Sequence, residues 1–146
     1  MSGINNQRQF VDTNIFLYAY DLSEPLKREK AQKLISSLWQ SRQGVISIQV
    51  LQELYVNLTR KLPKPISAER AAQIITDLGQ WSLHEPTLAD LKRAIDLEKL
   101  HKLSFWDAMI VSSAQQMGCK LLWTEDLNSG QYIDDLIIRN PFSKKS

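Results

Sequence analysis

The chain has a single cysteine, Cys119, in 146 residues, so no internal disulfide can form, and no paired Cys/His spacing of a zinc site is present. A reducing compartment is the expectation. Histidine is scarce too: His84 and His101 stand alone, neither with a partner at metal-ligand spacing, and no Ser-His-Asp arrangement is evident. Both are expected as partly exposed helix or strand residues. Charge of one sign is lacking, because 18 Lys plus Arg against 16 Asp plus Glu leave a net +2, which by itself does not announce a nucleic-acid binder. Long hydrophobic runs are missing as well. The longest charge-free stretches fall short of a membrane span, and Met1 to Gln9 is polar without the apolar core of a signal peptide, so a cytoplasmic protein without membrane contact is expected. No repeat or low-complexity segment appears.

What is there is an ordinary soluble composition, 43% hydrophobic and 23% charged, at a length that fits one compact domain over residues 1–146. Such a domain buries roughly 68–70% of its unfolded-chain surface and folds without disulfide or structural metal, leaving room for a catalytic one. The basic residues gather locally at Arg60, Lys61 and Lys64, which keeps RNA or DNA as a permitted ligand.

Apolar patterning predicts alternating strands and helices. Gln9 to Val11 reads as a strand stopping at Asp12, and Ile15 to Tyr20 as a helix capped by Asn14. A charged helix follows from about Pro25 to Arg42, then a strand over Val45 to Ser47. Ser47 caps a helix through Leu51, Leu54, Tyr55 and Leu58, ended by Pro63 and Pro65. Further helices are expected over Ser67 to Leu78 and Thr87 to about Leu100, with a weak strand around Trp81 to His84 between them. Ser104 opens another helix that Gly118 closes, Leu121 to Thr124 is a strand, and Ile137 and Ile138 form a last edge strand. The alternation predicts a mostly parallel sheet covered by helices on both faces, with ligands bound beyond the strands' carboxyl ends, where Asp12 and Asp126 fall. Trp39, Trp81, Trp106 and Trp123 have apolar neighbours and are expected in the core, not as base-stacking platforms.

Four acids fall where apolar elements end or turn inward: Asp12, Glu53, Asp107 and Asp126. Each has a plain structural reading. Asp12 can form an Asx turn or cap a helix, though the apolar bulk of Phe10, Val11, Ile15, Phe16 and Leu17 implies little solvent there. Glu53 lies off the core face of its helix and alone reads as surface. Asp107 completes a capping-box pattern with Ser104, yet the helix it starts, Ala108 to Cys119, carries no charge and reads as buried. Asp126 falls in a turn after a strand, with Glu125 as a neighbouring candidate. Carboxylates crowded together are costly unless cations or protons neutralise them, so a cluster of these four points to a divalent metal.

Phe10-Val11-Asp12-Thr13-Asn14, Val50-Leu51-Gln52-Glu53-Leu54-Tyr55, Ser104-Phe105-Trp106-Asp107-Ala108 and Thr124-Glu125-Asp126-Leu127 together resemble the PIN-domain family. The resemblance runs from about Phe10 to Gly130, and its most specific piece is Ser-Phe-Trp-Asp-Ala. It implies a three-layer α/β/α sandwich with a central, mostly parallel sheet, in which Asp12, Glu53, Asp107 and Asp126 hold Mg²⁺ or Mn²⁺ for phosphodiester hydrolysis. It further implies that Asn14 and Thr124 support those acids, with Ser104 and Glu125 beside them. Many PIN domains are toxin ribonucleases of the VapC type, so the resemblance also implies an RNA substrate, a cognate antitoxin and a homodimer. Arg60, Lys61 and Lys64 are candidates for contact with RNA phosphates.

Hard oxygen ligands without His or Cys independently favour Mg²⁺ or Mn²⁺ over zinc. Two such ions roughly 3.5–4 Å apart can drive an in-line displacement without a protein nucleophile. Two other readings compete: a non-catalytic RNA- or partner-binding module, and an aspartyl-phosphate phosphotransferase or phosphatase built on Asp12, against which Asn14 counts because that chemistry commonly has a second Asp there.

Overall fold

A computed structural model describes residues 7–143. Residues 1–6 of the polar opening segment lie outside the described residues. The elements are β1 (Gln9–Val11), α1 (Thr13–Tyr18), α2 (Pro25–Ser41), β2 (Gly44–Ser47), α3 (Ile48–Arg60), α4 (Ala68–Leu78), β3 (Ser82–His84), α5 (Leu88–His101), α6 (Phe105–Gln116), β4 (Leu121–Trp123), β5 (Tyr132–Ile133) and β6 (Leu136–Arg139). The strands form one sheet in the order β3-β2-β1-β4-β6-β5, with helices on both sides. All pairings are parallel except the terminal β5–β6 hairpin.

Parallel strands are buried on both faces, which explains why these read as short apolar runs and not as alternations. Phe10, Val45, Ile46, Leu122 and Ile138 have no solvent exposure. The helices are set by local signals. Ser47, Ser67, Thr87 and Ser104 each accept a backbone N–H at a helix start, and Pro25 occupies the first turn of α2. Gly118, at φ +71, turns the chain out of α6 towards β4. Among the described residues no helix is long and apolar enough to cross a membrane.

Four sequence expectations are corrected. Asp12, not Asn14, caps α1. The strand containing Ile137 and Ile138 lies inside the sheet, between β4 and β5. The edge belongs to Tyr132–Ile133, a two-residue strand too short to leave a periodic signal, joined to β6 through Asp134 at φ +54. His84 is buried, not partly exposed. The tryptophans divide: Trp81 is in the core, its ring so close to Gly44 that a Cβ there would approach it to 2.4 Å, whereas Trp39 and Trp106 are 42% and 63% exposed.

Candidate metal centre

The parallel register of β1 and β4 pairs Val11 with Trp123, and Asp12 N–H donates to the Trp123 carbonyl at 3.0 Å. Asp12 and Thr124 therefore leave the sheet side by side. Both are buried. Asp12 Oδ1 accepts from the Thr13 backbone N–H at 2.7 Å, and Oδ2 accepts from the Thr124 hydroxyl at 2.8 Å. The Thr124 oxygen in turn accepts from the Asp126 backbone N–H at 3.1 Å and from Asn14 Nδ2 at 3.5 Å, while Asn14 Oδ1 receives the Glu125 N–H at 3.3 Å. Asn14 and Thr124 thus hold the turn that carries Asp126.

Asp107 arrives from another direction, on the first turn of α6, whose N-terminus Ser104 caps by accepting the Asp107 N–H at 3.1 Å. One carboxylate oxygen from each of Asp12, Asp107 and Asp126 lies within 4.8 Å of the others. Glu53 is outside this tight trio but borders it. Its Oε1 accepts from the Thr13 hydroxyl at 2.7 Å, and its Oε2 from Gln49 Nε2 at 3.2 Å. The surface reading of Glu53 is therefore replaced by a half-buried carboxylate anchored on both oxygens.

Burial pushes the Asp12 carboxyl up to about 7; the hydrogen bonds from Thr124 and Thr13 oppose the rise, and the charges of Asp126 and Glu53 add to it. Asp107 and Asp126 are raised too, first by desolvation, with Glu53 contributing to both and Asp126 contributing to Asp107. An ionised hollow of this kind is tolerable only with positive charge inside it.

The remaining candidates lie apart. Glu125, next in sequence to Asp126, turns to Lys27 at 2.6 Å and to the Tyr18 hydroxyl at 2.8 Å, so its charge is already matched. Arg60, Lys61 and Lys64 are exposed around the end of α3. Arg60 is seven residues beyond Glu53, about 10 Å along the helix at 1.5 Å per residue.

Sequence reading missed Thr13 and Gln49, although Gln49 stands four residues before Glu53 on one helical face, a spacing that could have flagged it. It also missed a link between Ser113, His84 and Asp90. His84 Nδ1 meets Ser113 Oγ at 2.9 Å and Nε2 meets Asp90 Oδ2 at 3.1 Å. All three are buried, and Asp90 is also engaged in the capping box of α5 with Thr87, whose backbone hydrogen bond is the main reason its carboxyl is held low. With its hydroxyl closed off from substrate, this trio ties β3 to α5 and α6.

The PIN domain family model matches residues 10–132. No curated protein is similar enough in sequence to match the chain. Among solved structures, VapC20 of Mycobacterium tuberculosis, described as a Sarcin-Ricin loop cleaving toxin, is 21% identical with a TM-score of 0.58, covering 78% of this chain and 86% of its own. A toxin–antitoxin complex from Klebsiella pneumoniae is similar at 19% identity and a TM-score of 0.66, covering 92% of this chain and 98% of its own. VapBC2 from Rickettsia felis, bound to a DNA fragment from its promoter, gives 18% identity and a TM-score of 0.66 over the same shares, 92% and 98%.

Proposed function

We propose a function from one premise: the chain belongs to the PIN domain family. We infer that it is a divalent-metal-dependent ribonuclease that hydrolyses RNA phosphodiester bonds, acting in the cytoplasm as the toxin of a toxin–antitoxin pair. The observation that carries the catalytic reading is the meeting of Asp12, Asp107 and Asp126 oxygens within 4.8 Å of one another.

The donor set fits the ion. Hard cations bind oxygen at roughly 2.0–2.6 Å, so two ligands of one ion stand at most about 4–5 Å apart, a limit the trio meets with its oxygens all within 4.8 Å of one another. Asp12, Asp107 and Asp126 would hold Mg²⁺ or Mn²⁺ directly, with Glu53 bordering them. When bound, the ion supplies charge neutralisation at the scissile phosphate and an acidified water, so no protein nucleophile is required. The chain's own part is arrangement. Thr124 and the Thr13 N–H fix both oxygens of Asp12, Asn14 and Thr124 pin the turn of Asp126, and Ser104 sets the first turn of Asp107. Asn14 is consumed in this scaffold, so no second acid stands there for an aspartyl-phosphate mechanism.

RNA as substrate and an antitoxin as partner are supported by the fold shared with a Sarcin-Ricin loop cleaving toxin and with toxin–antitoxin complexes. The family resemblance adds a homodimer, checked by light scattering. Arg60, Lys61 and Lys64 would contact phosphates at a distance from the metal, making affinity fall as salt rises. The test is one gel: labelled single-stranded RNA and DNA with Mn²⁺, Mg²⁺ or chelator, beside Asp107→Asn. Metal-dependent RNA cleavage lost in the variant supports the reading. RNA affinity without cleavage in either metal would instead identify a binding module.

A further inference from the structure

Gln49 is 9% exposed, and its side-chain amide spans two parts of the acidic hollow. Nε2 donates to Glu53 Oε2 at 3.2 Å, one turn along α3, and to the Trp106 backbone carbonyl at 3.2 Å, immediately before Asp107 on α6. Both partners are acceptors only, so the orientation of the amide follows from chemistry: the flipped form would set oxygen against two oxygens. Among the described residues the remaining Gln49 Oε1, also buried, has no hydrogen-bond partner.

We propose that Gln49 is a positioning residue that sets Glu53 against the start of α6, and so fixes the separation of Glu53 from Asp107 around the metal. The inference rests on the metal-dependent reading above. A neutral donor suits this place better than any charged side chain. Lysine or arginine would neutralise Glu53 and compete with the ion, as Lys27 neutralises Glu125 outside the trio. A carboxylate would add another negative charge to a hollow whose acids are already hard to ionise. Thr13, which holds the other oxygen of Glu53, is likewise neutral. Glu53 is thus held on both oxygens by neutral donors, and α3 and α6, which arrive from different parts of the sheet, are tied together beside the acidic trio. Groups that orient metal-binding carboxylates typically change metal affinity by 10- to 100-fold when removed.

Gln49→Met keeps length and bulk and removes the donor. Mn²⁺ binding by calorimetry, with no RNA present, should weaken about tenfold in Gln49→Met while the metal-free melting temperature stays near that of the wild type. In a Glu53→Ala background the same substitution should change Mn²⁺ affinity less than twofold, since the group to be positioned is gone. Where RNA cleavage is measured, kcat should fall with KM unchanged. If Gln49→Met is unfolded, Gln49→Asn, whose amide is one methylene too short to reach both partners, is read in its place with the same expectations. Wild-type affinity in the variant, or an equal loss in the Glu53→Ala background, overturns the inference. A wild type that binds Mn²⁺ but cleaves no RNA overturns the ribonuclease reading and leaves this one measurable by calorimetry. A wild type that binds no Mn²⁺ overturns both.

Discussion

The Thr124 hydroxyl donates to Asp12 Oδ2 across 2.8 Å, joining residues 112 apart in sequence at the carboxyl ends of adjacent parallel strands. The same oxygen receives the Asp126 N–H. One buried hydroxyl therefore orients the Asp12 carboxylate and holds the backbone that carries Asp126. Thr124→Val should cost about 1–3 kcal/mol in urea unfolding, because Asp12 Oδ2 is left buried and unpaired. Loss of a bond that lowers the Asp12 carboxyl should also move the pH midpoint of Mn²⁺ binding upward. Thr124→Ser, which restores the hydroxyl, should recover most of both effects.

The metal-free protein should be less stable at pH 8 than at pH 5.5 on account of its acids. Asp12 is raised from 3.8 to about 7, so between those values the folded chain holds a proton that the unfolded chain has released. Stability therefore falls as pH rises through that window, and the raised Asp107 and Asp126 act with the same sign. For Asp12 alone the loss between pH 5.5 and pH 8 is on the order of 2 kcal/mol, part of about 4 kcal/mol over the whole window from 3.8 to about 7. Asp12→Asn should raise the stability of the chelated protein at pH 8 and remove the gain that Mn²⁺ gives the wild type. Chemical denaturation at the two pH values, with chelator or Mn²⁺, measures all of this.

Asp126 and Glu125 are neighbours with different surroundings, one in the acidic trio and one paired with Lys27 and Tyr18. Glu125→Gln should leave metal-dependent RNA cleavage within a few-fold of the wild type, and Lys27→Met should cost no more than about 1 kcal/mol, the range of a partly exposed pair. Asp126→Asn should abolish cleavage at low millimolar metal. Parallel cleavage assays on the single variants decide which acid the metal uses.

Asp90 should matter to stability and not to the metal. It meets buried His84 at 3.1 Å and completes the capping box of α5 from its third position. Asp90→Ala, which leaves a ring nitrogen of His84 buried without its hydrogen-bond partner, should cost about 1–3 kcal/mol in urea unfolding while leaving Mn²⁺ affinity unchanged.

Much of this was legible in the sequence, for identifiable reasons. The strands β1, β2 and β4 are apolar runs stopped by Asp12, Ser47 and Thr124, and the caps Ser47, Ser67, Thr87 and Ser104 mark helix starts by side-chain chemistry that needs no tertiary context. Tyr132–Ile133 was illegible because two residues carry no period, and its partner β6 defines it only through pairing. Trp106 misled because its apolar sequence neighbours lie on the buried side of α6 while its own ring faces out. Asp12, Asp107 and Asp126 were readable as odd residues at element ends, yet their convergence depends on strand order. Glu53 shows the limit most clearly. Its helical wheel position says surface, and only the arrival of Thr13 from α1 and the fold-back of Gln49 turn it inward.

Anomalous diffraction at the manganese edge from crystals soaked in Mn²⁺ places the ion without reference to activity. The peak is expected among the carboxylate oxygens of Asp12, Asp107 and Asp126, at about 2.0–2.6 Å from their nearest atoms. No peak there at saturating Mn²⁺, or a peak bound by other residues, would contradict the metal centre and the hydrolysis proposed for it.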